Sequence, residues 1–310
     1  PAEEISIDIL LRFAFTLAVS SLTALETLNL SYSGVTTFNG ATDTMNFSSN
    51  TALKNIYLNG ISTFTGVNVL GNTKLEEFVL VDNSNVNTLE FNGIKTLKTL
   101  VLSDVSTLTS LNIGDCTALE SVTLLNTGLT SLSLDGYGKL SKLWVYNNSA
   151  LATISVNNAP LLTDVKLAAV TTNTALTSLA ITNCTTLTSL DVTYLTALTT
   201  LNVSGCTTLT SLGTIPSTVT DLNVYNSGIE TLDVTNCSAL SSLIVEDCAS
   251  LTSIDASGTD ISEIIVSGCT SLVNLNLSDT AIEGLDASYS LCIETINVRN
   301  CKSLEALDIN

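Results

Sequence analysis

The chain has 310 residues, of which 45% are hydrophobic, 13% charged and 5% aromatic. Ten basic residues against 29 acidic ones give a net charge of −19, which argues against nucleic acid and anionic lipid as partners, because both are bound through clusters of Lys and Arg. Histidine is absent, which excludes Ser-His and Cys-His nucleophilic pairs, imidazole acid–base catalysis and His-ligated zinc. We therefore expect no enzymatic activity, no cofactor and no metal site.

The first predicted element is an amphipathic helix near the beginning of the chain. Apolar residues recur there at every fourth position: Ile5, Ile9, Phe13 and Leu17. Charged residues do the same on another face: Glu4, Asp8 and Arg12. This spacing is typical of a helix with one buried side. We assign residues 1–24 to an N-terminal helical cap, and we expect no transmembrane segment, because the apolar run 9–19 is interrupted and short for a membrane span.

From residue 25 onward the chain repeats the phrase L-x-x-L-x-V every ten or eleven residues. Apolar and polar residues alternate within the phrase, which predicts a short strand with one buried face. The frame is irregular at 35–44 and holds a small insertion at 168–175. The last apolar position of each phrase is expected to point inward, and these anchors are Phe47, Leu58, Val69, Leu80, Phe91, Leu102, Ile113, Leu124, Leu134, Val145, Val156, Leu167, Ile181, Val192, Val203, Thr214, Val224, Val234, Val245, Ala256, Val266, Leu277, Ala287, Val298 and Ile309.

Thr, Ser, Asn and Gly follow each anchor, as turns require. One strand every eleven residues then predicts a parallel coil with a strand on each side. Two phrases make one coil of 21–22 residues, and the period gives roughly thirteen coils. The predicted fold class is therefore mainly β: a solenoid with two short parallel strands per coil over residues 25–310, preceded by the helical cap.

The residue three positions after the anchor is often Asn or Cys: Asn72, Asn83, Cys116, Asn148, Cys184, Cys206, Cys237, Cys248, Cys269 and Cys301. The resulting frame, L-x-x-L-x-L-x-x-N/C, resembles the leucine-rich repeat. Phrases such as NCSALSSL and CTTLTSLDV resemble the short nested bacterial type (IRREKO-like) found in Bacteroidetes surface proteins. This resemblance spans roughly residues 25–310. It implies a non-enzymatic, secreted or cell-surface bacterial protein that binds an extracellular protein or a glycan.

The cysteines of this corner position are predicted to be buried free thiols rather than disulfides. Cys184 and Cys206 lie on the same edge of adjacent coils, and so do Cys248 and Cys269. Their side chains would point in the same direction at about the coil spacing, which is somewhat too far for a relaxed disulfide. The chain has no C-x-x-C pair, so a redox or metal role has little support.

Aspartates of the L-D-V, L-D-A and L-D-I phrases form two rows. Asp191, Asp233 and Asp255 would project from one face, and Asp286 and Asp308 from the other. A row of carboxylates could bind calcium, but an outward strand position is ordinarily polar in any case. We favour the second interpretation, and we find no carboxylate pair suited to acid–base chemistry.

The candidate binding surface comes from sorting the outward positions by face. One face carries apolar and aromatic residues: Tyr57, Val79, Val81, Val101, Leu125, Trp144 and Tyr146. The equivalent positions on the other face are mostly polar: Asn46, Asn68, Glu90, Asn112, Ser133, Ser155, Asn202 and Asn223. Exposed apolar patches often mark interaction surfaces, with Trp and Tyr as the usual anchors. The alternative is that a loop, a neighbouring domain or another protomer covers this face.

The resulting functional hypothesis is a non-enzymatic surface or secreted protein that mediates recognition or adhesion. The alternative is a structural spacer or assembly subunit that joins neighbouring domains or protomers. The final phrase SLEALDIN (303–310) stops inside a strand frame with no predicted cap. We therefore expect that the natural protein continues there or that this end packs on a partner, including a second copy of the chain.

Overall fold

A computed structural model describes residues 5–9, 11–167, 173 and 175–309. The chain divides into two compact units, Pro1–Leu151 (unit 1) and Ala152–Asn310 (unit 2). In the described part of each unit, regular secondary structure consists of short β-strands joined by turns. Each unit is a parallel β solenoid, as the eleven-residue period predicts. Most of the predicted insertion at 168–175 lies outside the described residues.

Unit 1 places its strands in one long sheet and two smaller sheets. Its described strands are β1 (Ser6–Asp8), β2 (Phe15–Leu17), β3 (Thr27–Asn29), β4 (Val35–Phe38), β5 (Thr44–Asn46), β6 (Asn55–Asn59), β7 (Gly66–Asn68), β8 (Glu77–Val81), β9 (Thr88–Glu90), β10 (Thr99–Val105), β11 (Ser121–Thr127), β12 (Ser131–Ser133) and β13 (Lys142–Tyr146). The long sheet has the order β1-β3-β6-β8-β10-β11-β13, and the smaller sheets are β5-β7-β9 and β2-β4. Pairing between these strands is parallel throughout.

Unit 2 follows the same plan with shorter ladders. Its described strands are β14 (Thr153–Asn157), β15 (Asp164–Lys166), β16 (Ser178–Thr182), β17 (Thr200–Asn202), β18 (Asp221–Asn223), β19 (Thr231–Asp233), β20 (Ser242–Ile244), β21 (Ser253–Asp255), β22 (Glu263–Ile265), β23 (Asn274–Asn276), β24 (Gly284–Asp286), β25 (Thr295–Asn297) and β26 (Ala306–Asp308). Within the unit the parallel ladders are β14-β16-β17-β18-β20, β19-β21-β23-β25 and β22-β24-β26. The second of these begins at β19.

The predicted anchors form the core of both units. Those from Phe47 through Ala287 are buried, with one exception, whereas Val298 is half-buried and Ile309 is exposed. Thr214 was predicted to point inward and is exposed, while its neighbour Ile215 is buried. The reason lies in Gly213, whose φ of 70° adds one residue to the inward–outward alternation. The prediction for Thr214 is therefore wrong by one position.

The predicted N-terminal helical cap is wrong. Within the region assigned to the helix, Ser6–Asp8 and Phe15–Leu17 form the strands β1 and β2, and the described part of the chain contains no helix. The N–H of Ile9 donates to the carbonyl of Asn29 at 3.0 Å, and the N–H of Glu26 donates to that of Ile5 at 2.9 Å. Ile5, Ile7 and Ile9 also alternate with polar residues at period two, and the strand edge of β3 gives that pattern a ladder to join. No helix in the described part is long and apolar enough to cross a membrane.

At several corners, the residue three positions after the anchor ties a coil to the one before it. A side-chain donor there reaches a backbone carbonyl of the preceding coil, whichever residue supplies it: Asn50 to Val19 (2.7 Å), Asn72 to Phe47 (3.1 Å), Asn148 to Leu124 (3.1 Å), Cys206 to Ile181 (3.1 Å), Cys248 to Val224 (3.0 Å), Cys269 to Val245 (3.0 Å), Ser290 to Val266 (2.6 Å) and Cys301 to Leu277 (2.9 Å). Amide, thiol and hydroxyl groups thus make the same hydrogen bond between a corner and a carbonyl of the preceding coil.

All eight cysteines are free thiols in the structure, in line with the prediction. Six are buried at corners, Cys301 is half-buried, and Cys292 is exposed. Burial, with a smaller contribution from the charge of Asp115, raises the pKa of Cys116 to about 12. Burial also raises the pKa of Cys237. Thiols of this kind remain protonated and act as weak hydrogen-bond donors.

Candidate functional site

The seven outward residues predicted as a binding surface lie together on the long sheet of unit 1. We call them the apolar strand face: Tyr57, Val79, Val81, Val101, Leu125, Trp144 and Tyr146. They belong to five neighbouring strands, β6, β8, β10, β11 and β13. Each of the seven is half-buried. The alternation of the strand frame is therefore sufficient to bring all seven onto one surface.

Strand register arranges the apolar strand face in two columns. The first column is Tyr57, Val79, Val101, Thr123 and Trp144, each paired with the next. The second column is Asn59, Val81, Ser103, Leu125 and Tyr146. Neighbouring strands lie about 4.8 Å apart, so consecutive members of a column are in side-chain contact range. The columns also include three polar members that were not predicted as part of this surface: Asn59, Ser103 and Thr123.

Trp144 is held at one end of this surface by two neighbours. The Nζ atom of Lys142 lies 3.4 Å from the centroid of its ring, a cation–π contact. The ring of Tyr146 is tilted at 58° to the indole, with 6.3 Å between centroids. A large aromatic side chain fixed in this way loses little further conformational entropy on binding. Lys142 was not predicted from the sequence, although it stands two residues before Trp144, a spacing that places both on the same side of a strand.

A polar rim surrounds the apolar strand face. The hydroxyl of Tyr57 donates to Glu77 Oε2 at 2.6 Å. Beyond this edge, Lys98 pairs with Glu76 at 2.7 Å between Nζ and Oε2. At the other edge lie left-handed polar residues, directly after β8 and β13 (Asp82 and Asn147) and within the last residues of β10 and β11 (Asp104 and Asn126). An apolar centre within a polar border is the usual anatomy of a protein-binding patch.

The opposite face of unit 1 is polar, as predicted. Asn46, Asn68 and Glu90 pair in register across β5, β7 and β9. The side chains of Asn46 and Asn68 accept the N–H of the residue two positions further on, at 3.0 and 2.8 Å. These outward amides therefore close turns, and their role is local.

The same turn accounts for the aspartate rows in unit 2. Asp233 pairs with Asp255, and Asp286 with Asp308, across neighbouring strands. Asp286 accepts the backbone N–H of Ser288 at 2.9 Å, and Asp191, Asp233 and Asp255 accept equivalent bonds at 3.0, 3.0 and 3.1 Å. Hydrogen bonds from the N–H and hydroxyl of Ser288 hold the pKa of Asp286 below its usual 3.8. A turn-closing role explains the outward aspartates Asp191, Asp233, Asp255 and Asp286 without a metal ion.

Comparison with solved structures gives bacterial leucine-rich repeat proteins. The chain is similar to the functional domain of InlJ from Listeria monocytogenes, which includes a cysteine ladder (18% identity, 94% of this chain and 62% of that one, TM-score 0.43). It is also similar to a leucine-rich repeat protein from Bacteroides ovatus (13%, 86% and 76%, TM-score 0.35) and to one from Leptospira interrogans (17%, 96% and 78%, TM-score 0.35). The chain thus spans less than two thirds of the InlJ chain. No family model and no curated protein matches it.

Proposed function

We propose that the chain is a recognition module that binds a protein partner through the apolar strand face. The observation that carries this proposal is the gathering of seven apolar or aromatic side chains on five consecutive strands. On a solvated sheet face these positions are normally polar, as they are on β5, β7 and β9. The aliphatic members favour a protein over a glycan, because a valine-rich surface offers few hydrogen bonds to hydroxyl groups.

We further propose a secreted or cell-surface bacterial location and a role in adhesion, with the chain belonging to the short nested repeat type of Bacteroidetes surface proteins. The support is the repeat phrase itself and the negative net charge of −19, which disfavours nucleic acid and anionic membranes. The chain would act without catalysis or cofactor.

Binding of the isolated chain to a panel of extracellular-matrix proteins and to a glycan array tests the proposal. Trp144→Ala and Tyr146→Ala should each raise the dissociation constant for a protein partner at least tenfold, equivalent to a loss of about 1.4 kcal/mol of binding free energy. Tyr194→Ala is the matched control, because Tyr194 is an aromatic residue of unit 2 that is 59% exposed. If both variants bind as tightly as the wild type, the apolar strand face is not the binding site.

The same samples separate the alternatives. Binding to glycans alone, lost with Trp144→Ala, would assign the surface to a sugar. Light scattering that shows concentration-dependent growth would instead favour the spacer or assembly role, and Trp144→Ala would show whether this face takes part in it.

A further inference from the structure

The ladders of unit 2 are interrupted at two places, between residues 210–215 and β19 and between β20 and β22. The cleft beside β19 has a volume of about 510 Å³ and the one beside β22 about 250 Å³. The sheet β19-β21-β23-β25 begins at β19, so this strand is an edge strand in the middle of a run of coils. On the other side of the same coils, the ladder continues without a break from Asn202 to Asn223 and from Asn223 to Ile244. In the coils beside β19, the interruption is therefore confined to one face.

A short coil and the extra residue at Gly213 account for the opening. Leu212 and Leu232 are twenty residues apart, whereas Leu190 and Leu212 are separated by twenty-two. Around the bulge, the N–H of Val192 donates to the carbonyl of Leu212 at 3.0 Å, and the N–H of Thr214 turns back to Thr193 Oγ1 at 2.9 Å. The carbonyl of Leu212 and the N–H of Thr214 thus bond to the preceding coil. As a result, β19 pairs with β21 on one side and has no paired strand on the other.

The interruption leaves backbone donors and acceptors turned into a cleft. In the intact ladders an outward residue bonds to the preceding coil; for example, the carbonyl of Asp255 accepts the N–H of Val234 at 2.9 Å. The outward residues of β19 are Thr231 and Asp233. Among the described residues, their N–H and C=O groups have no hydrogen-bond partner in the preceding coil. This is the arrangement of a sheet edge that can accept another strand.

The cleft has closed ends and a distinct lining. Its volume is about 510 Å³. The N–H of Gly228 still donates to the carbonyl of Cys206 at 3.1 Å on one side, and the thiol of Cys237 donates to the carbonyl of Pro216 at 3.3 Å on the other. Leu212, Ile215, Ile229 and Leu232 line its inner part, and Ser211, Thr214, Glu230 and Asp233 are among the polar residues at its mouth.

We propose that this cleft binds an extended peptide segment by β-strand addition to β19. Donors and acceptors that alternate along a strand edge are matched by a second extended backbone, and the three residues of β19 cover about 10 Å at 3.3 Å per residue. A side chain of the segment that points inward meets the leucine and isoleucine lining, and the next one points outward beside Glu230 and Asp233. The favoured segment therefore alternates small apolar and basic residues.

The probe is the fluorophore-labelled peptide acetyl-Lys-Val-Lys-Val-Lys-amide, with binding to the whole chain followed by fluorescence anisotropy. Saturable binding is expected, and the Glu-Val-Glu-Val-Glu peptide should bind at least tenfold more weakly. Two further peptides carry N-methyl groups on the lysines or on the valines. Only one of the two should lose binding, because alternate N–H groups of an added strand face β19.

Variants of Thr231 supply the matched comparison on the protein. Thr231→Pro removes the N–H that faces the cleft while keeping an edge-compatible φ, and it should weaken binding at least tenfold; Thr231→Val keeps the N–H and should bind as the wild type does. If Thr231→Pro does not fold, the N-methylated pair still decides. Absence of saturable binding, equal binding by both N-methylated peptides, or amide exchange at Thr231 and Asp233 as slow as in β21 would overturn the proposal.

Discussion

The ammonium nitrogen of Lys142 lies over the indole ring of Trp144, 3.4 Å from its centroid. Trp144 is the single tryptophan of the chain, so its fluorescence reports on the apolar strand face alone. The contact joins two outward residues of β13, and it fixes the largest side chain of that surface. The fluorescence of Trp144 can therefore be used to test this contact in the absence of a binding partner.

The first prediction concerns this contact. Lys142→Ala should shift the emission of Trp144 to longer wavelength and increase its quenching by acrylamide, because the side chain that covers the ring is removed. The free energy of unfolding should change by less than about 1 kcal/mol, since the contact is half-exposed. Lys139→Ala is the control, because Lys139 is an exposed lysine of the preceding turn. An unchanged spectrum in Lys142→Ala would contradict the contact.

The second prediction concerns the corner amide of Asn148. Its Nδ2 donates to the carbonyls of Leu124 and Tyr146, and its Oδ1 accepts from the N–H and the hydroxyl of Thr127. Asn148→Ala should destabilise the fold by about 3 kcal/mol, because buried backbone groups are left without partners. Urea unfolding followed by circular dichroism measures the loss.

A matched variant at an equivalent corner is expected to behave differently. Cys248→Ser keeps a donor for the carbonyl of Val224, as Ser290 does naturally for Val266. Its cost should stay below about 1 kcal/mol. Equal destabilisation by Asn148→Ala and Cys248→Ser would show that volume, and not the donor, governs this position.

The third prediction concerns thiol reactivity. In the native protein, iodoacetamide should modify the exposed Cys292 rapidly and the half-buried Cys301 slowly, while the six buried thiols should react only after denaturation. The raised pKa of Cys116, about 12, adds to its protection because the thiolate is the reactive form. Intact mass against time gives the count. Three or more fast additions would disagree with the structure.

The fourth prediction concerns acid stability. Asp286 has a pKa below its usual value in the folded state, owing to the hydrogen bonds from Ser288. Its contribution is therefore complete above the pKa of an unfolded aspartate and disappears as pH falls through the lower folded pKa. Asp286→Asn should be less stable than the wild type at pH 7, and the difference should vanish near pH 2.

Asparagine is a suitable replacement in that experiment because Asn202 and Asn223 close the same turn elsewhere in unit 2. The turn itself is thus preserved, and the charge alone is removed. Urea midpoints at several pH values measure the difference, and one that persists at pH 2 would show that the charge of Asp286 is not its source.

The strand frame, the core and the membership of the apolar strand face could all be predicted, because each depends on a period of two within a repeat of eleven. A buried valine such as Val145 and an outward tryptophan such as Trp144 differ only in parity. Once one anchor is placed, the parity of its neighbours follows. The prediction needed no side-chain geometry, and for that reason it could not identify Lys142 as the residue that covers the indole.

The predicted N-terminal helix and the predicted inward position of Thr214 were both wrong. The first failed because two periodic patterns coincide in the sequence, and the second because the strand frame contains one extra residue. Ile5 and Ile9 satisfy a four-residue spacing and a two-residue spacing equally, and the outcome depends on the neighbouring coil, which local sequence does not specify. The repeat spacing predicts Thr214 as the inward residue, but the left-handed Gly213 shifts the inward position to Ile215. The opening beside β19 follows from the same bulge, and an anchor spacing of ten or eleven residues gave no sign of it.

The interchange of amide, thiol and hydroxyl at the corners has a practical consequence. Cys248 and Ser290 donate the same kind of hydrogen bond to a carbonyl of the preceding coil. The presence of a donor therefore matters more than whether sulfur or oxygen carries the proton. A version of the chain with serine at the corner cysteines and at the exposed Cys292 would have no thiol left to react with oxidants or heavy metals. The apolar strand face of unit 1 contains no cysteine, so thiol oxidation or reduction would leave its residues chemically unchanged.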